Sequence, residues 1–283
     1  METELEQIIQ ALLPFLRKCT SGEYGIALGG AHAKGIEDEE SDIDLYVFAR
    51  KILPNTGRAN LLDHLADRDK TISSWGETAE FAQAGTDFYF QGKRIECWFR
   101  NMDYINGIID ECKAGVIKRD FITWTVMGFY NHCTLSDLSK MVPVEDPYHV
   151  LAQWKDEVNH YPRNLRTNII RDHLGAARFW PENFHYISAI ERGDIIYTSG
   201  IVQQVIHNLI QVIFAVNQAY FSGDKKIDTA LESLKLKPAR CAERVKSLLF
   251  PAHPADRAFL EAQRQELHGL LYEVEKLVAQ TVD

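Results

Sequence analysis

Residues 24–48 read Tyr-Gly-Ile-Ala-Leu-Gly-Gly-Ala-His-Ala-Lys-Gly-Ile-Glu-Asp-Glu-Glu-Ser-Asp-Ile-Asp-Leu-Tyr-Val-Phe, and no other stretch constrains the fold as strongly. It parses as an apolar strand over 24–28, a turn at Gly29 and Gly30, a short helical stretch and a second strand over 43–48. Asp42 and Asp44 open the second strand, two residues apart. Side chains at i and i+2 of a strand share a face about 6–7 Å apart. Two acids placed so repel each other and gain nothing from packing. A hard cation between them removes the conflict, because Mg²⁺ takes carboxylate oxygens together with substrate phosphates. The glycines let backbone approach a ligand with no Cβ in the way. The amides of Ala31 and His32 then open a helix, where free N–H groups attract phosphate. Carboxylates for a metal beside a phosphate cradle amount to a site for a nucleoside triphosphate.

The same residues carry a resemblance. Gly29-Gly30, eleven intervening residues and Asp42-Ile43-Asp44 resemble the signature of the polymerase-β-like nucleotidyltransferases, a small-residue pair, a spacer and Asp-hydrophobic-Asp/Glu. Gly-Gly-Ala-His-Ala-Lys-Gly with Ser41-Asp42-Ile43-Asp44-Leu45 is most similar to the small-molecule branch, the aminoglycoside and lincosamide adenylyltransferases and their relatives. The family's second small residue is usually Ser; Gly30 stands there instead, without the hydroxyl that helps hold the β and γ phosphates. The resemblance covers residues 2–145 with specific motifs and the rest only loosely.

Composition narrows the partners. A formal net charge of −9 over 283 residues disfavours a protein that grips nucleic acid through its phosphates, and is compatible with a cationic small substrate. Five cysteines without a Cys-x-x-Cys pair argue against a disulfide framework and against a zinc site. Residues 1–19 are acidic and amphipathic, unlike a signal peptide, and no segment reads as long enough to span a bilayer. The expected location is a reducing cytoplasm.

Residues 2–19 place Leu5, Ile8, Ile9, Leu12, Leu13 and Leu16 at helical spacing, with Pro14 expected to bend or shorten the helix. A helix is expected over 58–68 and a short strand over 71–75. Residues 86–90 and 93–100 read as a hairpin around Gln91-Gly92. In its second arm Ile95, Cys97 and Phe99 share one face while Arg94, Glu96 and Trp98 share the other. Glu96 is thus a carboxylate in the middle of an otherwise buried-looking strand, a poor place for an unemployed charge. The family resemblance implies that a third acid sits on a strand about here, as metal ligand or base. Asp87, in the other arm, is the rival; a surface pair of Glu96 with Arg94 or Lys93 is the plain alternative.

Helices are expected over 103–114 and 118–131, then a short extended piece and a Pro-rich connection. The spacing beyond it predicts helices over 150–158, 165–179, 184–190, 194–221, 226–234, 239–250 and 255–282, separated by Pro162, Pro181, Gly193, Gly223, Pro238 and Pro251. Tyr220-Phe221-Ser222-Gly223-Asp224-Lys225 is similar to a segment of relatives in the branch, which implies that Lys225 reaches a phosphate; a solvated lysine after a helix end explains it equally well. Arg166 and His173 resemble the Arg…His pair of small helical RNases, but Thr167 follows the Arg where Asn is usual, and a polar helix face is preferred. His32, His64, His132 and His160 show no metal-ligand spacing.

The expected fold is α+β: a nucleotidyltransferase-fold domain over 1–145 with a small mixed sheet, then an α-helical bundle over 146–283, with the site in a cleft. The resemblance implies Mg²⁺-dependent transfer of a nucleoside monophosphate, AMP from ATP, to a hydroxyl of a small, antibiotic-like acceptor, without nucleic acid or membrane as partner. Two Mg²⁺ ions would be held by Asp42, Asp44 and Glu96, and the nucleotide by Gly29, Gly30, Lys34, Ser41 and Lys225. A protein-adenylylating enzyme and a non-catalytic nucleotide-binding module are the alternatives.

Overall fold

The computed structural model describes residues 3–68, 71–79, 83–122, 125–250 and 256–281. Helix α1 (Glu4–Lys18) starts where the sequence offers a cap: the Thr3 hydroxyl accepts the Glu6 amide, and the Glu6 carboxylate accepts the Thr3 amide. Ile8, Ile9, Leu12, Leu13, Phe15 and Leu16 form its buried face. Pro14 lies on the exposed side, and the helix runs past it to Lys18. There follow β1 (Thr20–Leu28), α2 (Gly30–Lys34), β2 (Ile43–Ile52), α3 (Asn55–Leu62), β3 (Ser73–Ala79), β4 (Gln83–Phe90), β5 (Lys93–Asn101) and α4 (Met102–Ala114). Next come the two-residue strands β6 (Arg119–Asp120) and β7 (Phe129–Tyr130), then α5 (Asn131–Lys140), β8 (Val142–Glu145) and α6 (Val150–Val158). The remainder is helical: α7 (Arg163–Arg178), α8 (Phe184–Arg192), α9 (Ile195–Val216), α10 (Ile227–Ser233), α11 (Cys241–Leu249) and α12 (Arg257–Thr281). The chain divides into two compact units, residues 1–112 with 118–160, and 113–117 with 161–283.

In the first unit six strands form one mixed sheet in the order β3-β4-β5-β2-β1-β8. The β2–β5 pair is parallel and the other neighbours are antiparallel. Ile43, Leu45 and Val47 of β2 and Ile95, Cys97 and Phe99 of β5 point to one face, into a core shared with α1 and Leu62 of α3. The alternation expected for β5 is therefore present. On the opposite face Phe48 meets Trp154 of α6 edge-on, ring centroids 5.2 Å apart, and the Trp154 indole donates to Asn106 of α4 at 2.8 Å. Leu151 of α6 lies against Gly25, so close that a Cβ there would stand 2.7 Å from it. That contact makes α6 part of the first unit, not of the helical half in which its sequence pattern put it.

Among the described residues one expected helix is absent. Where the pattern over 118–131 predicts a helix, the chain forms the β6–β7 pair, and α5 replaces the extended piece expected next. Gly128 supplies the reason: it adopts φ +85°, and a Cβ there would meet the Arg119 side chain at 2.8 Å. The Arg119 guanidinium in turn lies over the Phe121 and Tyr130 rings. A turn glycine and cross-strand packing outweigh apolar spacing. Positions 123, 124, 251, 255 and 282 of the expected elements, Pro251 among them, lie outside the described residues.

In the second unit α9 packs on α7, α8, α11 and α12. By length and composition it is apolar enough to cross a membrane, which corrects the expectation that no segment is; 78% of its apolar window is buried inside the protein. It ends at Val216 because the Asn217 side chain turns back to bond Ile213 and reaches across to the Leu236 carbonyl. Arg166 and His173 of α7 bind helices together: Arg166 donates to the Thr281 carbonyl at 2.8 Å, and His173 is buried with Nδ1 at 2.7 Å from Asn208 of α9. The architecture is α+β, a mixed sheet followed by a helical unit.

The placement of α6 is testable. Gly25→Ala should lower stability by about 1–3 kcal/mol, the usual cost of overpacking. In a Leu151→Ala background the same change should cost much less. Urea unfolding of the four chains of this cycle checks it; equal costs in both backgrounds would contradict the contact.

Candidate active site

Strand pairing brings the motif together. Leu28 at the end of β1 pairs with Leu45 near the start of β2, and the Gly29 amide donates to the Asp44 carbonyl at 2.9 Å. The parallel register of β2 and β5 sets Glu96 beside Asp44. One carboxylate oxygen from each of Asp42, Asp44 and Glu96 lies within 4.8 Å of the other two. Among the described residues no other such group of potential metal ligands occurs. Glu96 is oriented by the Trp98 indole, which donates to it at 2.8 Å, and Asp42 by Arg94 at 3.2 Å. Arg94 is thus engaged with Asp42, not with Glu96 in the surface pair that the sequence left open.

Asp87 faces Glu96 across the antiparallel β4–β5 pair and shares its face. It does not join the three acids; its carboxylate accepts the Trp75 indole N–H at 3.0 Å. The Trp75 and Trp98 rings meet edge-on at 5.0 Å, and Gly85 is bare because a Cβ there would fall 2.1 Å from the Trp75 ring. A cavity of about 190 Å³ adjoins the acids, lined in part by Asp42, Glu96, Asp87, Arg94, Thr71 and Ser73.

The electrostatics follow from this crowding. Burial, then the charges of Glu96, Asp42 and Asp137, push the Asp44 carboxyl up to about 8, while the Lys34 ammonium acts the other way. Burial also raises Asp87, opposed by its bond from Trp75. Three converging carboxylates, one of them driven towards its protonated form by burial and then by the charges of the others, fit a hard divalent cation. The all-oxygen donor set suits Mg²⁺, Mn²⁺ or Ca²⁺ and not the N/S-seeking metals.

The glycine pair has a local cause. Gly30 adopts φ +56°, and a Cβ there would lie 1.5 Å from Asp44 Oδ2. A Cβ on Gly29 would lie 2.2 Å from the Tyr46 ring. Any side chain at position 30, Ser included, collides with the Asp44 carboxylate where it now lies, which accounts for Gly where the related pattern has Ser. Both glycine amides are engaged, Gly29 with the Asp44 carbonyl and Gly30 with the Tyr46 hydroxyl at 3.3 Å. Ser41 closes its own loop: its hydroxyl donates to Asp38 at 2.9 Å and accepts the Asp38 amide at 3.0 Å. Lys225 belongs to the second unit, in an exposed turn ahead of α10.

Sequence reasoning passed over Asp137, Arg100 and Tyr46. Arg100 is fully buried; its Nη2 donates to Asp137 at 2.8 Å, and the Tyr46 hydroxyl donates to the other Asp137 oxygen at 3.3 Å. Period-two counting from Glu96 and Trp98 would have put Arg100 on the site's face. Asp137 carries no local signal, since the sequence around it reads as an extended piece and not as the helix α5.

The comparisons add little chemistry. Residues 132–225 match a family, DUF4037, described as a domain of unknown function, over about one third of the chain. The matched stretch includes Asp137 of α5 but none of Asp42, Asp44 and Glu96. No curated protein matches. A solved nucleotidyltransferase-like protein from Exiguobacterium sibiricum is similar over 96% of this chain and 79% of its own, at 11% identity and a TM-score of 0.47. Likeness at that level carries no argument about function, which rests on the residues themselves.

An acid whose folded-state pKa is raised contributes stability that is present below its unfolded value, near 4, and lost as pH rises through the folded value. For Asp44 that window runs from about 4 to about 8. In chelator-treated protein, Asp44→Asn should therefore melt above the wild type at pH 9, by about 2–4 °C for each kcal/mol recovered. The gap should close as pH falls towards 4. A gap independent of pH would contradict the assigned electrostatics.

Proposed function

We propose that this protein is a divalent-metal-dependent nucleotidyltransferase that transfers a nucleoside monophosphate, AMP from ATP, to a hydroxyl of a small acceptor, with release of pyrophosphate. The observation that carries this reading is the convergence of Asp42, just ahead of β2, Asp44 of β2 and Glu96 of the parallel β5, next to a glycine turn. Asp42, Asp44 and Glu96 would hold Mg²⁺, which when bound neutralises charge on the phosphoryl oxygens and favours displacement at phosphorus. Lys34, whose ammonium already acts on Asp44, adds fixed positive charge on the same side. Glu96, oriented by Trp98, is the group we assign to hold the proton of the attacking hydroxyl or to ligate metal. Most of the rate in such a transfer comes from positioning and charge neutralisation, which fits a site built from braced carboxylates.

The adjoining cavity supports a small acceptor. It carries three carboxylates, Asp42, Asp87 and Glu96, against one Arg94, together with the hydroxyls of Thr71 and Ser73. With metal on Asp42 and Glu96, Asp87 is the carboxylate that remains to meet a small, hydroxylated, cationic, antibiotic-like acceptor, and its affinity should weaken as salt screens that charge.

The test is pyrophosphate release from ATP and Mg²⁺ with a panel of aminoglycosides and lincosamides. Turnover should vanish in Asp42→Asn and Asp44→Asn. Glu96→Gln should lower kcat by orders of magnitude with little change in ATP binding, and Asp87→Asn should do much less. Full turnover in Asp44→Asn would refute the metal-dependent reading. Nucleotide binding with no release to any acceptor would favour a non-catalytic binding module.

A further inference from the structure

Arg100 is the most deeply buried cation near the three acids, with none of its side chain exposed. Its Nε and Nη1 have no hydrogen-bond acceptor among the described residues. Withdrawing a guanidinium from water is costly, and a buried ion pair stabilises a fold no better than apolar side chains of the same size. Stability alone therefore does not explain an arginine here. What it touches does. Its Nη2 donates to Asp137, and its guanidinium lies over the rings of Tyr46, 5.1 Å away, and Trp98, 4.7 Å away.

Two arms leave this point. In one, Asp137 accepts the Tyr46 hydroxyl, which itself accepts the Gly30 amide, and Gly30 is the residue against which the Asp44 carboxylate lies. In the other, Trp98 donates its indole N–H to Glu96. Helix α2, which begins at Gly30, packs on α5 as well as on β2.

We propose that the buried Arg100–Asp137 pair is the positioning device of this site, bracing Asp44 through Tyr46 and Gly30, and Glu96 through Trp98. The proposal rests on the reading that Asp42, Asp44 and Glu96 bind a divalent cation. It also gives a task to α5, the first helix of the segment that matches the family of unknown function: it supplies the carboxylate that ties the glycine turn to the sheet. Neither Arg100 nor Asp137 touches substrate in this account; they act through Asp44 and Glu96. Groups that orient metal ligands in this way typically govern affinity by about 10–100-fold.

The experiment uses the full chain, stripped of metal. Mn²⁺ alone is titrated in and free Mn²⁺ is followed by electron paramagnetic resonance; in parallel, ¹⁵N-glycine labelling follows exchange of the Gly30 amide. Tyr46→Phe, which keeps the ring and removes the hydroxyl, should weaken Mn²⁺ binding about tenfold and speed Gly30 exchange at least as much. Asp137→Asn should weaken Mn²⁺ binding to a similar degree. If Asp137→Asn fails to fold, Tyr46→Phe decides alone. Mn²⁺ affinity within about twofold of wild type in Tyr46→Phe overturns the proposal, whether or not its melting temperature falls. Should the wild type bind no Mn²⁺, the metal reading fails; Gly30 exchange then judges the brace by itself, and unchanged exchange in Tyr46→Phe overturns it.

Discussion

The parallel register of β2 and β5 is the constraint on which the first unit depends. It sets Asp44 beside Glu96, and two unit charges about 4 Å apart cost on the order of 4 kcal/mol at an effective dielectric near 20. The register holds because the other face is apolar. Ile43, Leu45 and Val47 lie against Ile95 and Phe99 over α1, and each such side chain gains about 1.5–3 kcal/mol by burial. Burial therefore wins over repulsion. A slip of β2 by one residue would turn Asp44 into that core and the aliphatic set of β2 out of it. The fold thus forces the acids together, and the conflict is resolved only by a proton or a cation.

Around the acids the aromatic residues act as donors and spacers more than as bulk. Trp98 and Trp75 hold Glu96 and Asp87 by their indole N–H groups, and each ring packs on the other. Tyr46 fills the space that Gly29 leaves, while its hydroxyl joins Gly30 to Asp137. Small residues at positions 29, 30 and 85 therefore answer to large or charged partners across the sheet. Each glycine is a statement about its neighbour.

Much of this was legible in the sequence, and the reasons are local. Asp42 and Asp44 announce themselves by a period of two at the head of an apolar strand. Glu96 stands out by the same count against Ile95, Cys97 and Phe99. Helices α7 and α8 follow from Pro162, Pro181 and Gly193, whereas α9 ends at Val216, short of Gly223. What escaped depends on contacts far apart in the chain. Gly30 read as room for a phosphate, and its nearest reason is the Asp44 side chain. The stretch over 118–131 has helical spacing, yet Gly128 and the Arg119 stacking turn it into a strand pair. Asp137 was invisible because it meets Tyr46 and Arg100 only after the sheet has formed.

The central claim is that Asp42, Asp44 and Glu96 together hold a divalent cation. A crystal grown with Mn²⁺ and recorded at the manganese absorption edge tests it most directly. The account predicts an anomalous peak within coordination distance, about 2–2.5 Å, of oxygens from all three residues, absent from crystals of Asp44→Asn. A peak bound instead by Asp87, or no peak at saturating Mn²⁺, would contradict it.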